Sequence, residues 1–210
     1  IVADGGSTDT TLEIARRAGT RVVKSKPGRA TQMNCAARMA RGRFLVFLHA
    51  DTQLPDDYQP EIARILGKTG VSAGAFRLRI RGGSWGFRAI ELGTNLRSRL
   101  FSTPYGDQAL FLAASTFRET GGFLEIPIME DFELVRRLAK SGRIVISQRT
   151  ATTSARRWNQ VGLFRTTIHN WRIVLAYWCG VSPRKLAVWY RQAAAVKARE
   201  VSGPWNGKRG

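Results

Sequence analysis

A run of five apolar residues at positions 44–48 constrains the fold of this chain more than any other stretch. Five residues are too few for a stable isolated helix, and they fit a strand that is buried on both faces, as in a parallel sheet covered by helices. The run stops at His49, Ala50 and Asp51. In an open α/β sheet the carboxyl ends of the strands form the ligand crevice. The sequence therefore predicts a strand that delivers an imidazole and a carboxylate to a binding site.

Strand and helix patterns alternate along the first three quarters of the chain. Predicted strands cover residues 1–3, 21–24, 44–48, 75–81, 108–113 and 143–147. Predicted helices cover about 10–18, 29–40, 55–67, 85–101, 115–120 and 129–141. This alternation predicts an α/β fold with a mostly parallel, doubly wound sheet flanked by helices. Apolar residues alternate with arginines over 75–81, which predicts a half-buried strand with a basic outer face.

Beyond residue 158 the character of the sequence changes. Two helical stretches, at about 160–180 and 183–201, mix Trp, Tyr and Leu with Arg and Lys. We therefore predict an α/β domain at 1–158, a basic helical appendage at 159–201 and a flexible tail at 202–210.

The formal net charge of +19 over 210 residues is extreme. Such a charge predicts attraction to an anionic partner, which leaves nucleic acid, a phosphorylated substrate and an acidic membrane surface open. Cys35 and Cys179 lie far apart without metal-type spacing, which indicates a reducing compartment and no disulfide framework. We therefore expect a cytoplasmic protein.

The two ends of the chain carry further expectations. The apolar stretch at 161–181 is interrupted by Arg165, His169 and Arg172, so it is a poor candidate for a membrane span. The first residue is not Met and the chain opens inside a strand pattern, so we expect an earlier strand and helix upstream.

Residues 4–9, of sequence Asp-Gly-Gly-Ser-Thr-Asp, form the first candidate site. A glycine-rich turn between a strand and a helix suits a nucleotide, because backbone amides such as those of Gly6 and Ser7 can face an anion. Asp4 can instead accept hydrogen bonds from a base or a ribose. The motif is neither a P-loop nor a G-x-G-x-x-G fingerprint. An ordinary turn with a helix cap is the alternative.

His49 and Asp51 form the second candidate site. With one residue between them, both side chains leave the same side of an extended segment. Mg²⁺ and Mn²⁺ prefer carboxylate oxygens and substrate phosphates, so one carboxylate and a diphosphate would suffice. The alternative is that Asp51 caps the following helix and His49 is a buried, hydrogen-bonded imidazole.

Two further acidic positions lie at predicted element starts. Glu130 and Asp131 open a helix, where they are either first-turn acids or, facing a cleft, a general base. Asp107 and Gln108 belong to a polar turn that either lines an acceptor pocket or is only a turn. Finally, Arg157 and Trp158 can grip a phosphate and stack on a ring, or form a surface stripe.

In their order along the chain, these pieces resemble the family 2 glycosyltransferases, which have a GT-A fold that joins a nucleotide-binding half to an acceptor half. The similarity runs from the first residue to about residue 158. It rests on residues 4–9, Gly28 to Ala30 with Asn34, residues 47–52, residues 121–123, Glu130 with Asp131, and Arg157 with Trp158.

The resemblance implies a role for each matching residue. Asp4 corresponds to the acid that contacts the nucleotide base. Asp51 corresponds to the last acid of the D-x-D element, which binds the metal, Mg²⁺ or Mn²⁺, and the donor diphosphate. Asp131 corresponds to the catalytic base of a Glu-Asp pair. The remaining expectations are Gly6, Ser7 and Arg29 for the donor, His49 for the metal, and Asp107, Gln108, Arg157 and Trp158 for the acceptor or the diphosphate.

The chain departs from the family pattern at three points. His49 stands where the D-x-D element has its first acid, and Ser154 stands where the Q-x-x-R-W motif has Gln. The family's first strand would lie upstream of Ile1. The His-Ala-Asp-Thr version resembles a bacterial subgroup, some relatives of which act on lipid or isoprenoid-type acceptors.

The implied reaction is inverting transfer of a sugar from a nucleotide-diphosphate sugar, with a UDP-sugar favoured, to an acceptor hydroxyl. The acceptor is left open and includes a lipid-linked one. The C-terminal helices either lie on the anionic inner face of the plasma membrane or pack on the domain. On the membrane they would hold Trp171, Trp178, Trp189 and Tyr190 at headgroup depth.

Two rival functions stay open at this point. A basic nucleic-acid-binding module fits the charge, but the sequence has no helix-turn-helix, zinc-finger or RNP pattern and its acids cluster at strand ends. We therefore expect no nucleic-acid partner. A nucleotidyltransferase on a similar sheet would consume a nucleoside triphosphate and release pyrophosphate.

Overall fold

The computed structural model describes residues 1–156, 158 and 162–201. Arg157 and the predicted tail at 202–210 lie outside the described residues. The chain divides into two compact units, Ile1–Ser154 and a second that begins at Ala155. The candidate residues from Asp4 to Asp131 belong to the first unit.

The first unit contains seven strands and six α-helices among its described residues. Its strands are β1 (Val2–Asp4), β2 (Val22–Lys24), β3 (Phe44–Val46), β4 (Thr52–Gln53), β5 (Val71–Ile80), β6 (Phe111–Ala113) and β7 (Arg143–Thr153). Its helices are α1 (Thr11–Arg17), α2 (Arg29–Met39), α3 (Tyr58–Leu66), α4 (Trp85–Phe101), α5 (Ala114–Glu119) and α6 (Glu130–Ser141), with a 3₁₀ turn at Gly106–Gln108.

The strands form two sheets. Strands β1 and β2 pair in parallel, and the other five lie in the order β3-β6-β5-β7-β4. The predicted α/β class is confirmed, with one correction: the sheet is mixed rather than mostly parallel. In the five-stranded sheet β5 and β7 are parallel, whereas β3–β6, β6–β5 and β7–β4 are antiparallel.

The direction of β6 accounts for much of this difference. The Gln108 side-chain amide donates to the Phe76 carbonyl at 3.1 Å, so the chain enters β6 beside the middle of β5. It then runs back towards the start of β5, where Leu112 pairs with Ala73. Apolar composition predicts that a strand is buried, but it carries no information on the direction of pairing.

Helices cover both faces of the sheet, because successive residues along β6 belong to two different buried clusters. Leu110 and Leu112 belong to one buried cluster, which α6 completes with Leu134 and Leu138. Phe111 belongs to a second cluster, together with residues of α3 and β5. Because neighbouring strand residues point to opposite faces, the two clusters lie on opposite sides of β6.

Helix α4 takes the place of a neighbouring strand along the second half of β5. Asn95 accepts a hydrogen bond from the Leu78 amide at 2.8 Å and donates one to the Leu78 carbonyl at 3.1 Å. Glu91 accepts a hydrogen bond from the Ile80 amide at 2.7 Å. These side chains satisfy backbone groups that would otherwise form an open sheet edge.

The opposite face of α4 is apolar and exposed. Leu92, Leu96 and Leu100 succeed one another at helical spacing and expose 70%, 53% and 66% of their surface. A solvent-facing helix normally carries polar residues there, so this face is an unusual property of the unit.

The second unit contains helices α7 (Leu163–Trp178) and α8 (Pro183–Val201). The rings of His169 and Tyr190 lie 5.4 Å apart and join the two helices. Among the described residues, no helix combines the length and the apolar character needed to cross a membrane.

Candidate functional site

Asp4 ends strand β1 and shapes the glycine-rich turn that follows it. Its buried carboxylate accepts hydrogen bonds from the backbone amides of Gly6 at 3.0 Å and Ser7 at 3.1 Å. Hydrogen bonding from the Ser7 side chain, helped by these amides and by Lys24, holds the pKa of Asp4 below its usual value. The carboxylate therefore acts within the turn here, and its contact with a nucleotide base stays a prediction.

Arg29, the first residue of α2, brings four of the predicted residues into one cluster. Its Nη2 donates to His49 Nε2 at 2.9 Å, and its Nε lies 3.0 Å from Glu130 Oε1. The same Nη2 lies 3.9 Å from Asp131 Oδ2. A cation at a helix N-terminus opposes the helix dipole, and the two carboxylates offset this cost. We refer to Arg29, His49, Glu130 and Asp131 as the Arg29 cluster.

The contact with Arg29 determines the protonation of His49. A guanidinium can only donate, so Nε2 must accept and the ring proton must reside on Nδ1. Burial lowers the pKa of His49, and the positive charge of Arg29 lowers it further. His49 is therefore a neutral imidazole whose Nε2 lone pair is already in use.

The segment that carries His49 and Asp51 differs from the prediction. Strand β3 ends at Val46, and Leu48 exposes 45% of its surface. The Thr52 amide donates to the His49 carbonyl at 3.1 Å and closes a turn. The predicted extended segment, with both side chains on one side, is therefore wrong. Asp51 is exposed on this turn.

Glu130 and Asp131 have different environments although they are adjacent. Glu130 exposes only 2% of its side chain, and burial raises its pKa, with Asp131 adding to the effect and Arg29 opposing it. Asp131 exposes 17% of its side chain and accepts hydrogen bonds from the amides of Gly106 and Phe132, both at 2.7 Å. Asp131 is thus the member of the pair that a ligand can reach.

The residue before this pair is held in an uncommon backbone conformation. Met129 is buried and has φ of 70°, in the left-handed region that non-glycine residues seldom adopt. Such strain persists only where the surrounding packing determines it. It turns the chain sharply into α6, so that Glu130 and Asp131 begin the helix beside Arg29.

The loop at 121–123 positions the start of α6. Asn34 donates to the Phe123 carbonyl at 2.8 Å and accepts from the Phe123 amide at 2.9 Å. Arg137, which pairs with Glu133, donates to the Gly122 carbonyl at 2.7 Å. Asn34 and this loop, both part of the resemblance, therefore hold the start of α6 in position.

Gly106 is a site residue that sequence reasoning missed. A methyl group on its α-carbon would lie 2.9 Å from His49 Nε2, 3.0 Å from Arg29 Nη2 and 3.0 Å from Asp131 Oδ2. The absence of a side chain is what allows the turn to lie against the Arg29 cluster. A glycine in a polar turn gives no sequence signal for this role.

Gln108 has a different role from the predicted acceptor or diphosphate contact. Its side chain is fully buried and donates to the Phe76 carbonyl. It also accepts hydrogen bonds from Ser98 Oγ at 2.7 Å and the Tyr105 amide at 3.2 Å. These three hydrogen bonds anchor the side chain within the protein, so Gln108 positions the turn at 105–108.

Arg97 and Asp107 complete the surroundings of this turn. Cζ of Arg97 lies 3.5 Å from the centroid of the Tyr105 ring, a cation–π contact that the sequence analysis did not predict. Asp107 has a buried Oδ1 without a hydrogen-bond partner. Burial raises the pKa of Asp107 to about 6, with Arg97 opposing the rise and Asp131 adding to it.

Asp107→Asn is expected to stabilise the protein at alkaline pH. A carboxyl whose pKa is raised by folding favours the native state while protonated, and this contribution is lost as the pH rises through about 6. We expect a gain in the free energy of unfolding of about 2 kcal/mol at about pH 8 and none at about pH 4. Urea unfolding at both pH values measures it, with the exposed Asp56→Asn as the control. An equal gain at both values would contradict the prediction.

Asp51 is exposed on its turn and, among the described residues, forms no ion pair with the Arg29 cluster, although its charge opposes the lowering of the pKa of His49 by burial. Trp158 belongs to the second unit, and Arg157 lies outside the described residues. Within the described part of the chain, no group of three or more His, Cys, Asp or Glu residues could hold a metal ion.

Comparison of the fold with solved structures defines the class of protein. The chain is similar to S. aureus TarS 1–349 in complex with UDP, with 18% identity and a TM-score of 0.55, covering 72% of this chain and 49% of that one. It is also similar to the mannosyltransferase PcManGT from Pyrobaculum calidifontis, with 16% identity, a TM-score of 0.59 and coverage of 97% and 66%. Glucosyl-3-phosphoglycerate synthase from Mycobacterium tuberculosis matches with 19% identity, a TM-score of 0.51 and coverage of 73% and 57%. At these identities the similarity establishes the fold, which is that of the GT-A glycosyltransferases.

The family follows from the sequence match. The model of glycosyl transferase family 2 matches residues 1–122, more than half of the chain, and the chain belongs to this family. The predicted resemblance is thereby confirmed. The chain spans about half the length of the TarS 1–349 structure. No protein of curated function matches the sequence.

Proposed function

We propose that this protein transfers a sugar from a nucleotide-diphosphate sugar, with a UDP-sugar favoured, to an acceptor hydroxyl. The observation that carries the proposal is the Arg29 cluster, which gathers His49, Glu130 and Asp131 in a chain of glycosyl transferase family 2. The solved relatives add support, because TarS binds UDP and UDP-GlcNAc and the synthase binds UDP-glucose and Mn²⁺. PcManGT binds GDP-Man and Mn²⁺, so GDP-sugars belong in any donor test.

Asp131 is proposed as the general base. The amides of Gly106 and Phe132 hold its two oxygens in place, and each oxygen retains a lone pair for a proton. Asp131 would take the proton of the acceptor hydroxyl while the hydroxyl oxygen forms a bond to the anomeric carbon of the sugar. The bond between the anomeric carbon and the diphosphate oxygen breaks on the opposite face of the sugar, so the configuration at the anomeric carbon inverts. Glu130, buried behind it, would keep Arg29 in position.

Arg29 is proposed to support the leaving diphosphate. Its side chain is 54% exposed, so the guanidinium can contact a ligand while its Nε side stays next to Glu130. A preorganised cation near the departing phosphate oxygens stabilises the charge that develops there. Gly6 and Ser7 remain candidate donor contacts on the neighbouring turn.

Asp51 fits a divalent metal as a single ligand, because it is an exposed carboxylate on the turn that follows β3. Mg²⁺ and Mn²⁺ are usually held by one or two carboxylates plus substrate phosphates. Such an ion would act as a Lewis acid on the diphosphate. His49 does not fit as a ligand in this arrangement, because Arg29 occupies its Nε2 and its Nδ1 carries the proton.

A thermal-shift panel tests the proposed function. The chain is heated with UDP, GDP, their sugars and nucleoside triphosphates, each with and without Mn²⁺. A ligand that binds only the native state raises the melting temperature with the logarithm of its concentration. We expect stabilisation by UDP or a UDP-sugar that Mn²⁺ enhances. Stabilisation by triphosphates alone would favour a nucleotidyltransferase, and no nucleotide effect at all would contradict the proposal.

We further propose peripheral association of the second unit with an anionic leaflet, which would place the protein at the inner face of the plasma membrane. Helix α7 exposes Ile168, Trp171, Leu175 and Trp178 at spacings of three and four residues, on one face. The same two helices expose basic residues, namely Arg172 on α7 and Arg184, Lys185 and Arg191 on α8. Trp189 is exposed as well, whereas Tyr190 lies against His169 inside the helix pair.

Flotation with vesicles tests the membrane proposal. We expect binding to vesicles that contain phosphatidylglycerol, weaker binding at high salt, and a loss of about tenfold in Trp171→Ala/Trp178→Ala. Trp85→Ala, which removes an exposed tryptophan from the first unit, is the matched control. Equal flotation of both variants would contradict a role for α7.

A further inference from the structure

Arg97 is a half-buried cation that forms no ion pair within 4 Å among the described residues. Its Nε is buried and has no hydrogen-bond partner, and among the described residues none of the ion pairs includes its guanidinium. Its Nη2 donates only to Ser98 Oγ, at 3.3 Å. Burial lowers the pKa of Arg97, and Tyr105, Asp107 and Asp131 oppose this effect through their charge alone, without an ion pair. An anionic ligand at the guanidinium would supply the close partner that the buried Nε lacks.

The position of Arg97 connects it with the proposed catalytic base. Its guanidinium lies over the ring of Tyr105, and the next residue, Gly106, donates to Asp131. The stacked ring fixes the plane of the guanidinium, whose edge carries the N–H groups that an oxyanion binds. Arg97 comes from α4, whereas Arg29 comes from α2 beside the turn that carries Asp51. The two cations thus approach Asp131 from different elements.

We propose that Arg97 binds a phosphate or carboxylate group carried by the acceptor, next to the hydroxyl that Asp131 deprotonates. This inference rests on the proposed function, in which the donor diphosphate takes the side of Arg29 and Asp51. A planar guanidinium forms paired hydrogen bonds with such a group and would thereby orient the acceptor. The substrate class is an acidic acceptor, either a soluble phosphorylated or carboxylated molecule or a lipid phosphate.

The surroundings of Arg97 agree with this assignment. Asp107, an acid of the same turn, has a pKa raised to about 6, so below that pH it becomes protonated and no longer repels a bound anion. The outer face of α4 exposes Leu92, Leu96 and Leu100, which is why a lipid phosphate belongs among the candidates. The same anionic chemistry serves both sources, and the experiment separates them.

The experiment measures binding of an anion to protein already saturated with UDP and Mn²⁺, so that the donor side is filled. The probes are inorganic phosphate, 3-phosphoglycerate and dodecyl phosphate below its micelle concentration, added in a thermal-shift titration. We compare the parent with Arg97→Gln and Arg97→Lys. Arg99→Gln is the matched control, because Arg99 lies on the same helix and is exposed.

We expect a probe to stabilise the UDP-bound parent further, and its apparent affinity to fall about tenfold or more in Arg97→Gln. Arg97→Lys keeps the charge but loses the planar guanidinium with its paired N–H donors, so an intermediate affinity is expected. Arg99→Gln should behave like the parent, and UDP affinity should change less than about twofold in every variant. Preference for 3-phosphoglycerate indicates a soluble acceptor, and preference for dodecyl phosphate a lipid one.

The outcomes separate this inference from the function on which it rests. If UDP raises the melting temperature of Arg97→Gln as much as that of the parent, this variant is folded. If the UDP shift is present but no probe stabilises the parent more than Arg97→Gln, the acidic acceptor is overturned and the transferase proposal stands. If neither UDP nor GDP, nor a sugar of either, has an effect on the parent, both are overturned.

Discussion

Replacement of Asp131 by asparagine is expected to lower the rate of sugar transfer by about 10²–10⁴-fold and to change UDP affinity by less than about twofold. Asparagine keeps the size of the side chain and can still accept the hydrogen bond from the Gly106 amide, so the turn should stay in place. Its NH2 group would then face the Phe132 amide, whose hydrogen bond is lost. Asparagine cannot take a proton from the acceptor. The loss should therefore appear in kcat rather than in donor binding, and steady-state kinetics with a UDP titration measures both.

Glu119→Gln is the control for the Asp131 experiment. Glu119 is an exposed acid at the end of α5, so its replacement changes the net charge equally without touching the Arg29 cluster. We expect the rate of this variant to equal that of the parent. A wild-type transfer rate in Asp131→Asn would show that another group is the base.

Arg29→Gln is expected to reduce the free energy of unfolding by about 2 kcal/mol near neutral pH, because it leaves Glu130 buried without its cation. The full cost of breaking a buried pair is larger, but Arg29 is half exposed and water screens part of it. Glu130→Gln in the same chain should recover much of the loss. The stability of both single variants and the double variant, from urea unfolding, gives the coupling energy.

The pH dependence supplies a second readout of the Arg29–Glu130 pair. Removal of Arg29 should raise the pKa of Glu130 further, because burial and Asp131 already raise it and Arg29 opposes them. The deficit of Arg29→Gln should therefore shrink as the pH falls and Glu130 becomes protonated. Arg17→Gln breaks an exposed ion pair with Glu13 and should cost less than about 0.5 kcal/mol. Equal losses in the Arg29 and Arg17 variants would refute the buried-pair account.

The extent of the helices could be predicted from the sequence where local signals mark both ends. The predicted range 85–101 coincides with α4, and the start of α6 differs from its prediction by one residue. The turn at 49–52 could not be predicted in the same way, because an apolar run suggests an extended segment up to Leu48. The chain leaves the sheet after Phe47, whose amide still donates to the Leu110 carbonyl, and only packing against other segments determines where it does so.

The resemblance identified Arg29, Glu130 and Asp131 as site residues, and the structure places them together. Sequence alone gave no reason to single out Gly106 or Arg97. Their roles depend on contacts between segments that are distant in the chain, such as the approach of Gly106 to residues of α2 and α6. No local composition records such an approach. The direction of β6 was unpredictable for the same reason, since it depends on where Gln108 anchors to β5.

Helix α4 carries one set of residues that attaches it to β5 and another set that faces solvent. Glu91 and Asn95 attach it to the backbone of β5, so the attachment does not depend on which side chains β5 presents. The outward positions Leu92 and Leu96 are exposed apolar side chains, so their replacement should leave this attachment intact. A designer can therefore randomise them to change what the surface meets while Arg97 keeps its position over Tyr105.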